Sequence, residues 1–387
     1  MKITGIKAEF IQLPYSKPFK PTWYPGREEK KQGIFLVRVY TDEGITGIAT
    51  AEAPFGLAPV FIETIKHLIE PAILNDNPFM VEKIIWKLRD VARVVTRPWV
   101  VENALWDIIG KASNQPVYKI LGGFRDKMPV YAAWGELKPN EQRYEDAQML
   151  VEQGFKAVKV RFCSDTIKDD LSLIETIRKA VGDKLQIMID ANQGTARERS
   201  GIVGETSIWS YERAYQTAKA LEEYDVSWLE EPLYRYDYKL LAKLAAEVDL
   251  PIAGGEINRD VPEFAMLIER DCYDILQPNC TMAAGMSQVK KIAAIAENHG
   301  KLCNLHSWIP SVGLIASLHL AASLSNSTHL EYPYDPPVIT PEVFQGAITE
   351  PLLIDPADGC LPLPQKPGFG VELDEELIKK YTVLSSN

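Results

Sequence analysis

The sequence predicts an α/β fold: a (β/α)8-type barrel of the modified TIM kind, roofed by an N-terminal α+β capping domain that the C-terminal tail completes. Three observations carry this. Seven polar residues each close a short apolar run: Arg161 (KAVKVRF), Asp190 (LQIMIDAN), Glu230 (VSWLEEP), Glu256 (PIAGGE), Asn279 (DILQPN), His306 (KLCNLH) and Glu331 (THLEYP). The steps between them are 29, 40, 26, 23, 27 and 25 residues, close to the length of one strand plus one returning helix. Ahead of this stretch the chain runs through strands and then helices without alternating, which marks a separate α+β layer. Polar side chains at the C-terminal ends of barrel strands face one mouth, so the same period locates the active site.

Residues 1–125 make the cap in this reading. From residue 1 to about 55 the pattern alternates as in antiparallel strands, KITGIKAEFIQL and then GIFLVRVYTDEGITGIATAEA, with a DEG turn inside the second segment. From about 57 to 122 the apolar spacing is helical (APVFIETIKHLIEPAI, VEKIIWKLRDV, ENALWDIIGKAS), and an LGG turn closes it. Residues 126–340 are the barrel, with βα alternation starting at MPVYAAWG, and residues 341–387 are a Pro-rich tail returning to the cap through GFGVELDEELIKKY. The long step between Asp190 and Glu230 holds QGTARERSGIVGETSIW, spanning the 194–209 insertion, where extra residues become loops over the active-site mouth. Arg197 and Arg199 in it are either anion contacts or solvated loop charges.

Length and composition bound the function. At 387 residues, 46% hydrophobic and 25% charged, the chain reads as an ordinary globular protein of two domains. No run approaches the roughly 18 apolar residues of a membrane span, and MKITGIKAEF carries no signal-peptide core, so a cytoplasmic protein without a membrane partner is expected. A net charge of -11 argues against nucleic acid as a partner. The five cysteines show no CxxC spacing and read as free thiols of a reducing compartment.

Asp190, Glu230 and Glu256 end three successive barrel strands, so their carboxylates converge. Three carboxylates suit a hard, oxygen-seeking divalent cation with open positions, most simply Mg²⁺, and without one they would raise one another's pKa values. A lone acid after a strand more often caps a helix N-terminus; three in register favour the metal.

With these residues in place, the chain resembles the enolase superfamily, and within it the mandelate racemase subgroup. The resemblance spans nearly the whole length and rests on ENALWDIIGKASNQPVYKILGG, the Lys-x-Arg of strand two, IDANQG, WLEEP, GGE, DILQPN, the His of NLHSW and the Glu of HLEYP. It implies a cap sealing a barrel, Mg²⁺ on Asp190, Glu230 and Glu256, and removal of the proton α to a carboxylate to give an enediolate. It also implies a homo-oligomer, as related proteins are often even-numbered assemblies.

Departures from that pattern matter most for the proton carriers. Lys159 and Arg161 are two apart and face the same way. Much of the subgroup has Lys-x-Lys there, with the second lysine as base. Arg161 stays protonated and makes an electrostatic clamp rather than a base. Lys159 is the base if its pKa is depressed; otherwise both residues bind substrate carboxylate. His306 is the other acid/base candidate, expected as a neutral base passing its proton to a leaving hydroxyl. The family commonly pairs this His with an Asp, where this chain has Asn279, which orients the imidazole without stabilising its cation. The residue matching Glu331 hydrogen-bonds the substrate carboxylate, and a protonated carboxyl would fit that role. Trp308, with Trp23, Tyr24 and Arg27 of the cap loop, is expected to bind substrate, and the Glu52–Phe55 stretch to reach over the barrel beside them.

A locally cationic pocket in an acidic protein suits a small anionic substrate. The reaction expected is dehydration of an aldonate or aldarate to its 2-keto-3-deoxy acid, which needs one strong base. A racemase or epimerase, needing bases on both faces, is the alternative, and a metal-binding homologue without catalysis is the third reading.

Overall fold

The computed structural model describes residues 1–24, 26–52, 55–94, 98–195 and 208–386. Arg197, Arg199 and most of the insertion after Asp190 lie outside them.

The cap is built on an antiparallel meander, β1 (Ile3–Phe19), β2 (Glu29–Thr41) and β3 (Thr46–Ala51). Register Phe10↔Phe35 and Val39↔Gly47 puts alternate residues on opposite faces. Ile6, Ala8, Phe10, Val37 and Val39 face a core shared with Ile62, Ile84, Leu88 and Leu105 of the cap helices. Helix Val81–Ala92 buries Val81, Ile84, Ile85, Leu88 and Val91, a stripe at helical spacing. The opposite sheet face, Ile11, Leu13, Ile34 and Leu36, is covered by Ala347 and Ile378 of the tail. This two-sided burial explains why β1 and β2 are apolar on both faces where they pair.

The barrel strands are β4 (Lys127–Ala133), β5 (Ala157–Arg161), β6 (Gln186–Asp190), β7 (Val226–Glu230), β8 (Ile252–Gly254), β9 (Ile275–Leu276), β10 (Leu302–Cys303) and β11 (Leu330–Pro333). They run parallel in the order β10-β9-β8-β7-β6-β5-β4-β11. Contacts past the strands draw the two ends of this path together: Cys303 N donates to Asn326 O (2.9 Å), Thr328 N to Asn304 Oδ1 (2.8 Å) and Ser307 N to Glu331 Oε2 (2.8 Å). A short β12 (Cys360–Pro362) pairs antiparallel with β4, and β13 (Thr382–Ser385) adds to the cap sheet beside β1.

The strands are shorter than the apolar runs suggest. Glu256, Asn279 and His306 stand two or three residues past β8, β9 and β10, while Glu331 is the second residue of β11 and not its end. Among the described residues no helix is long and apolar enough to cross a membrane. All five cysteines are free thiols, with Cys272, Cys280 and Cys303 buried.

Candidate active site

Register sets the centre of the site. Arg161 pairs with Asp190 across β5–β6, and Asp190 with Glu230 across β6–β7, so one cation and two carboxylates stand side by side. Lys159, two residues before Arg161, is fully buried on the same face. Its Nζ lies 2.9 Å from Glu230 Oε1, 2.8 Å from Glu331 Oε1 and 3.6 Å from Asp190 Oδ2. Burial alone would lower the Lys159 pKa, but Glu230 and Glu331 outweigh it and hold the amine well above its ordinary value. As it stands Lys159 is an ammonium ion and not the depressed amine that a base requires.

Arg161 is hydrogen-bonded through two of its three nitrogens. Its Nε donates to Trp134 O (3.1 Å), and the same terminal nitrogen bonds Asn192 Oδ1 (2.8 Å) and Asp190. The guanidinium lies 4.6 Å from the Trp23 ring and 5.6 Å from the Trp308 ring, a cation resting against two adjoining indoles. Trp23 and Trp308 meet edge to face at 5.2 Å. Gly135 makes room for both: a Cβ there would stand 2.8 Å from Trp308 Cη2 and 2.9 Å from Trp23 Cζ3. Gly135→Ala should therefore push the indoles off Arg161 and raise KM by about tenfold for any substrate that Arg161 contacts. Steady-state kinetics with tryptophan emission in parallel checks this, and unchanged KM and emission would refute it.

Glu230 also accepts from Gln277 Nε2 (2.8 Å) and Trp228 Nε1 (3.3 Å). Burial and the nearby Asp190 raise Glu230 to about 7, and the same two causes raise Glu256 to about 7. Glu331 goes the other way. Burial would raise it, but Lys159, His306 and Arg161 hold its carboxyl well below the usual range. In this arrangement the carboxylate form is favoured: its Oε1 is spent on Lys159 and its Oε2 accepts the Ser307 amide.

His306 Nε2 faces Glu256 Oε2 at 3.1 Å and Glu331 Oε2 at 3.6 Å. Its Nδ1 lies 2.9 Å from Asn279 Nδ2, and Asn279 Oδ1 receives Thr281 N (2.8 Å), Thr281 Oγ1 (2.9 Å) and Met282 N (2.9 Å). Burial lowers the His306 pKa.

Counted formally, Asp190, Glu230, Glu256 and Glu331 set four negative charges against Lys159 and Arg161. The cluster is therefore two charges short without an ion and neutral with a divalent one; leaving Glu331 out of the count gives the cationic pocket expected from the sequence. One divalent ion supplies the deficit, and all-oxygen carboxylate donors with raised pKa values are the right chemistry for it. The carboxylates are not closed into a ligand set, however. Among the described residues no three His, Cys, Asp or Glu side chains gather closely enough to hold an ion. Lys159 and Arg161 take up the oxygens that would turn toward it.

Above this cluster is a cavity of about 800 Å³ whose lining includes Trp23, Tyr24, Arg27, Glu52, Arg161, Asn192, Glu256, His306 and Trp308. All four substrate-binding candidates thus border one cavity with Arg161 and His306, while Lys159 lies buried beneath its lining. Ala53 and Pro54 fall outside the described residues. Sequence reasoning assigned no role to Asn192, although it sits in the IDAN motif. At φ +48° it bonds both oxygens of Asp190, through its backbone N and its Nδ2, besides accepting from Arg161.

The Enolase C-terminal domain-like family matches residues 142–377, and the mandelate racemase / muconate lactonizing enzyme N-terminal domain family matches residues 12–122. The chain belongs to the enolase superfamily, in its mandelate racemase / muconate lactonizing enzyme subgroup. Its relatives in this subgroup include an arabinonate dehydratase of Saccharolobus solfataricus, 27% identical with 92% of each chain covered. Another is an N-succinyl-L-Arg/Lys racemase of Bacillus cereus, 28% identical over 99% of this chain and 98% of the relative. An L-talarate dehydratase from Polaromonas sp. JS666, solved with Mg and L-glucarate, shares the fold at TM-score 0.84 and 24% identity, covering 99% and 98% of the two chains. Superfamily membership thus covers both dehydratases and racemases.

Proposed function

We propose that this chain is a magnesium-dependent dehydratase of an acid sugar, an aldonate or aldarate, yielding the 2-keto-3-deoxy acid. The observation that carries this reading is the asymmetry of the proton carriers. Lys159 places one amine inside the carboxylate cluster, whereas Arg161 is a guanidinium engaged by Trp134, Asp190 and Asn192. Dehydration needs one base at C2; racemisation needs one on each face.

Asp190, Glu230 and Glu256 would hold magnesium, which when bound supplies positive charge for the anion formed at the substrate carboxylate. Arg161, packed against Trp23 and Trp308, presents the remaining guanidinium edge to that carboxylate. Once its ion pairs loosen and its ammonium proton passes to solvent, the neutral Lys159 Nζ takes the proton from C2. The C2–C3 double bond forms as the C3–O bond breaks, and the hydroxyl leaves as water with the proton that Lys159 carries. The enol then becomes the ketone, with nothing oxidised or reduced. Arg27, Glu28, Glu29, Lys30, Lys31 and Gln32 line the cavity as well, a rim of mixed charge with the hydrogen-bonding groups that a polyol needs.

The test is incubation of the protein with magnesium and a panel of aldonates and aldarates in D₂O. Expected is a 2-keto acid from at least one of them, lost on chelation and restored by added magnesium. Deuterium exchange or epimerisation at C2 without keto acid would replace this reading with a racemase. Silence across the panel would overturn it.

A further inference from the structure

We propose that Asn279 holds His306 as the Nε2–H tautomer, making it a fixed hydrogen-bond donor to the substrate and not a base. Asn279 can sit only one way round. Its Oδ1 already accepts the amide N–H groups of Thr281 and Met282 and the Thr281 hydroxyl, at 2.8 to 2.9 Å. Flipping the amide would aim its NH₂ at two backbone donors in a buried place, leaving all of them unpaired. The Asn279 nitrogen therefore points at His306 Nδ1, 2.9 Å away, and a nitrogen that carries hydrogens can only donate there. Nδ1 must be the bare, accepting nitrogen.

The far side of the ring accommodates the same tautomer in the ion-free site. Nε2 faces two carboxylate oxygens, Glu256 Oε2 at 3.1 Å and Glu331 Oε2 at 3.6 Å, which are acceptors. An N–H at Nε2 satisfies them, and a lone pair there would oppose them. Protonating Nδ1 as well would set two donors against each other at the Asn279 contact.

A carboxylate in place of Asn279 would accept from Nδ1–H and leave Nε2 as a lone-pair base. The amide reverses this polarity. His306 has no lone pair facing the cavity, keeps its proton throughout, and offers Nε2–H to an oxygen on which negative charge grows. The sequence expectation of a neutral basic His306 is revised accordingly. Proton removal at C2 is left to the Lys159 side alone, which makes this site unsuited to two-base racemisation. The tautomer stands on side-chain geometry; only the identity of the oxygen it serves rests on the dehydration reading.

The test is long-range ¹H–¹⁵N correlation spectroscopy on the full-length protein labelled with [¹⁵N]histidine. Spectra are taken near neutral pH after chelation and again with magnesium, and His306→Gln assigns the signal. The expected pattern has a bare Nδ1 and a protonated Nε2 for His306. His319 is an internal reference, since its Nδ1 accepts from Tyr118 N (3.1 Å) and its Nε2 faces Phe369 O (3.2 Å). A proton on Nδ1 in the unsubstituted protein, alone or with one on Nε2, overturns the proposal. In Asn279→Asp the Nδ1 signal should become the protonated kind. Retention of the original pattern in that variant would show that Asn279 does not set the tautomer. These readouts need no substrate, so a failed acid-sugar screen leaves them unaffected.

Discussion

Under the proposed dehydration, replacing Lys159 by methionine should lower turnover by about 10²- to 10⁴-fold, the usual cost of losing a general base, and at the same time tighten binding of magnesium. The two effects have one origin. Lys159 Nζ occupies oxygens of Glu230 and Glu331 and stands 3.6 Å from Asp190, so it competes with a divalent ion for the same carboxylates. Removing a unit charge some 4 Å away is worth a few kcal/mol at an effective dielectric near 20, and part of that is offset by the repulsion left in the ion-free protein. A gain of about ten- to a hundredfold in cation affinity follows. Calorimetric titration of the variant with magnesium, beside the keto-acid assay, measures both. Weaker cation binding would mean that the lysine helps build the metal site, and undiminished turnover would remove it as the base.

The second large effect is expected far from the chemistry, at Asp335. Its fully buried carboxylate accepts Gly135 N (2.9 Å), Glu136 N (2.8 Å), Arg143 through two nitrogens (2.8 and 3.0 Å) and Lys138 (2.8 Å). The segment it holds docks the cap loop: Thr22 N donates to Gly135 O (2.9 Å), Leu137 N to Lys20 O (2.9 Å), and Lys17 pairs with Glu136 at 3.2 Å. Asp335→Asn leaves Arg143 and Lys138 short of their shared anion, so a loss of about 3–5 kcal/mol is expected. Burial alone would raise this carboxyl, but Arg143 and Lys138 hold it at about 2. A depressed acid stabilises fully above its unfolded pKa of about 4 and loses that contribution as pH falls through its folded value. The gap between unsubstituted protein and D335N should thus be widest above about pH 4 and shrink between about 4 and 2. Denaturant melts across that range measure it, and a gap that widens on acidification would contradict the assignment.

The barrel was legible because its period depends only on how long a strand and a helix are. Asp190, Glu230, Lys159 and Arg161 were placed by parity along short buried strands, and their register confirms that they share a face. What could not be read depended on contacts between distant segments. The ionised state of Glu331 is set by Lys159, nearly half the chain away. The orientation of Asn279 is set by backbone amides just past it, whose direction only the folded turn reveals. The end of β11 was misplaced because Tyr332 and Pro333 continue the pairing with β4. Asn192 was hidden by its left-handed backbone, where strand parity no longer says which way a side chain points.

The pairing of β13 with β1 joins the last residues of the chain to its first strand. During synthesis, then, the barrel can assemble while the cap sheet still lacks an edge strand and the cover over Ile11, Leu13, Ile34 and Leu36. That apolar face stays open until Ala347, Ile378 and β13 have been made, so the cap sheet is completed only after every barrel strand has been synthesised.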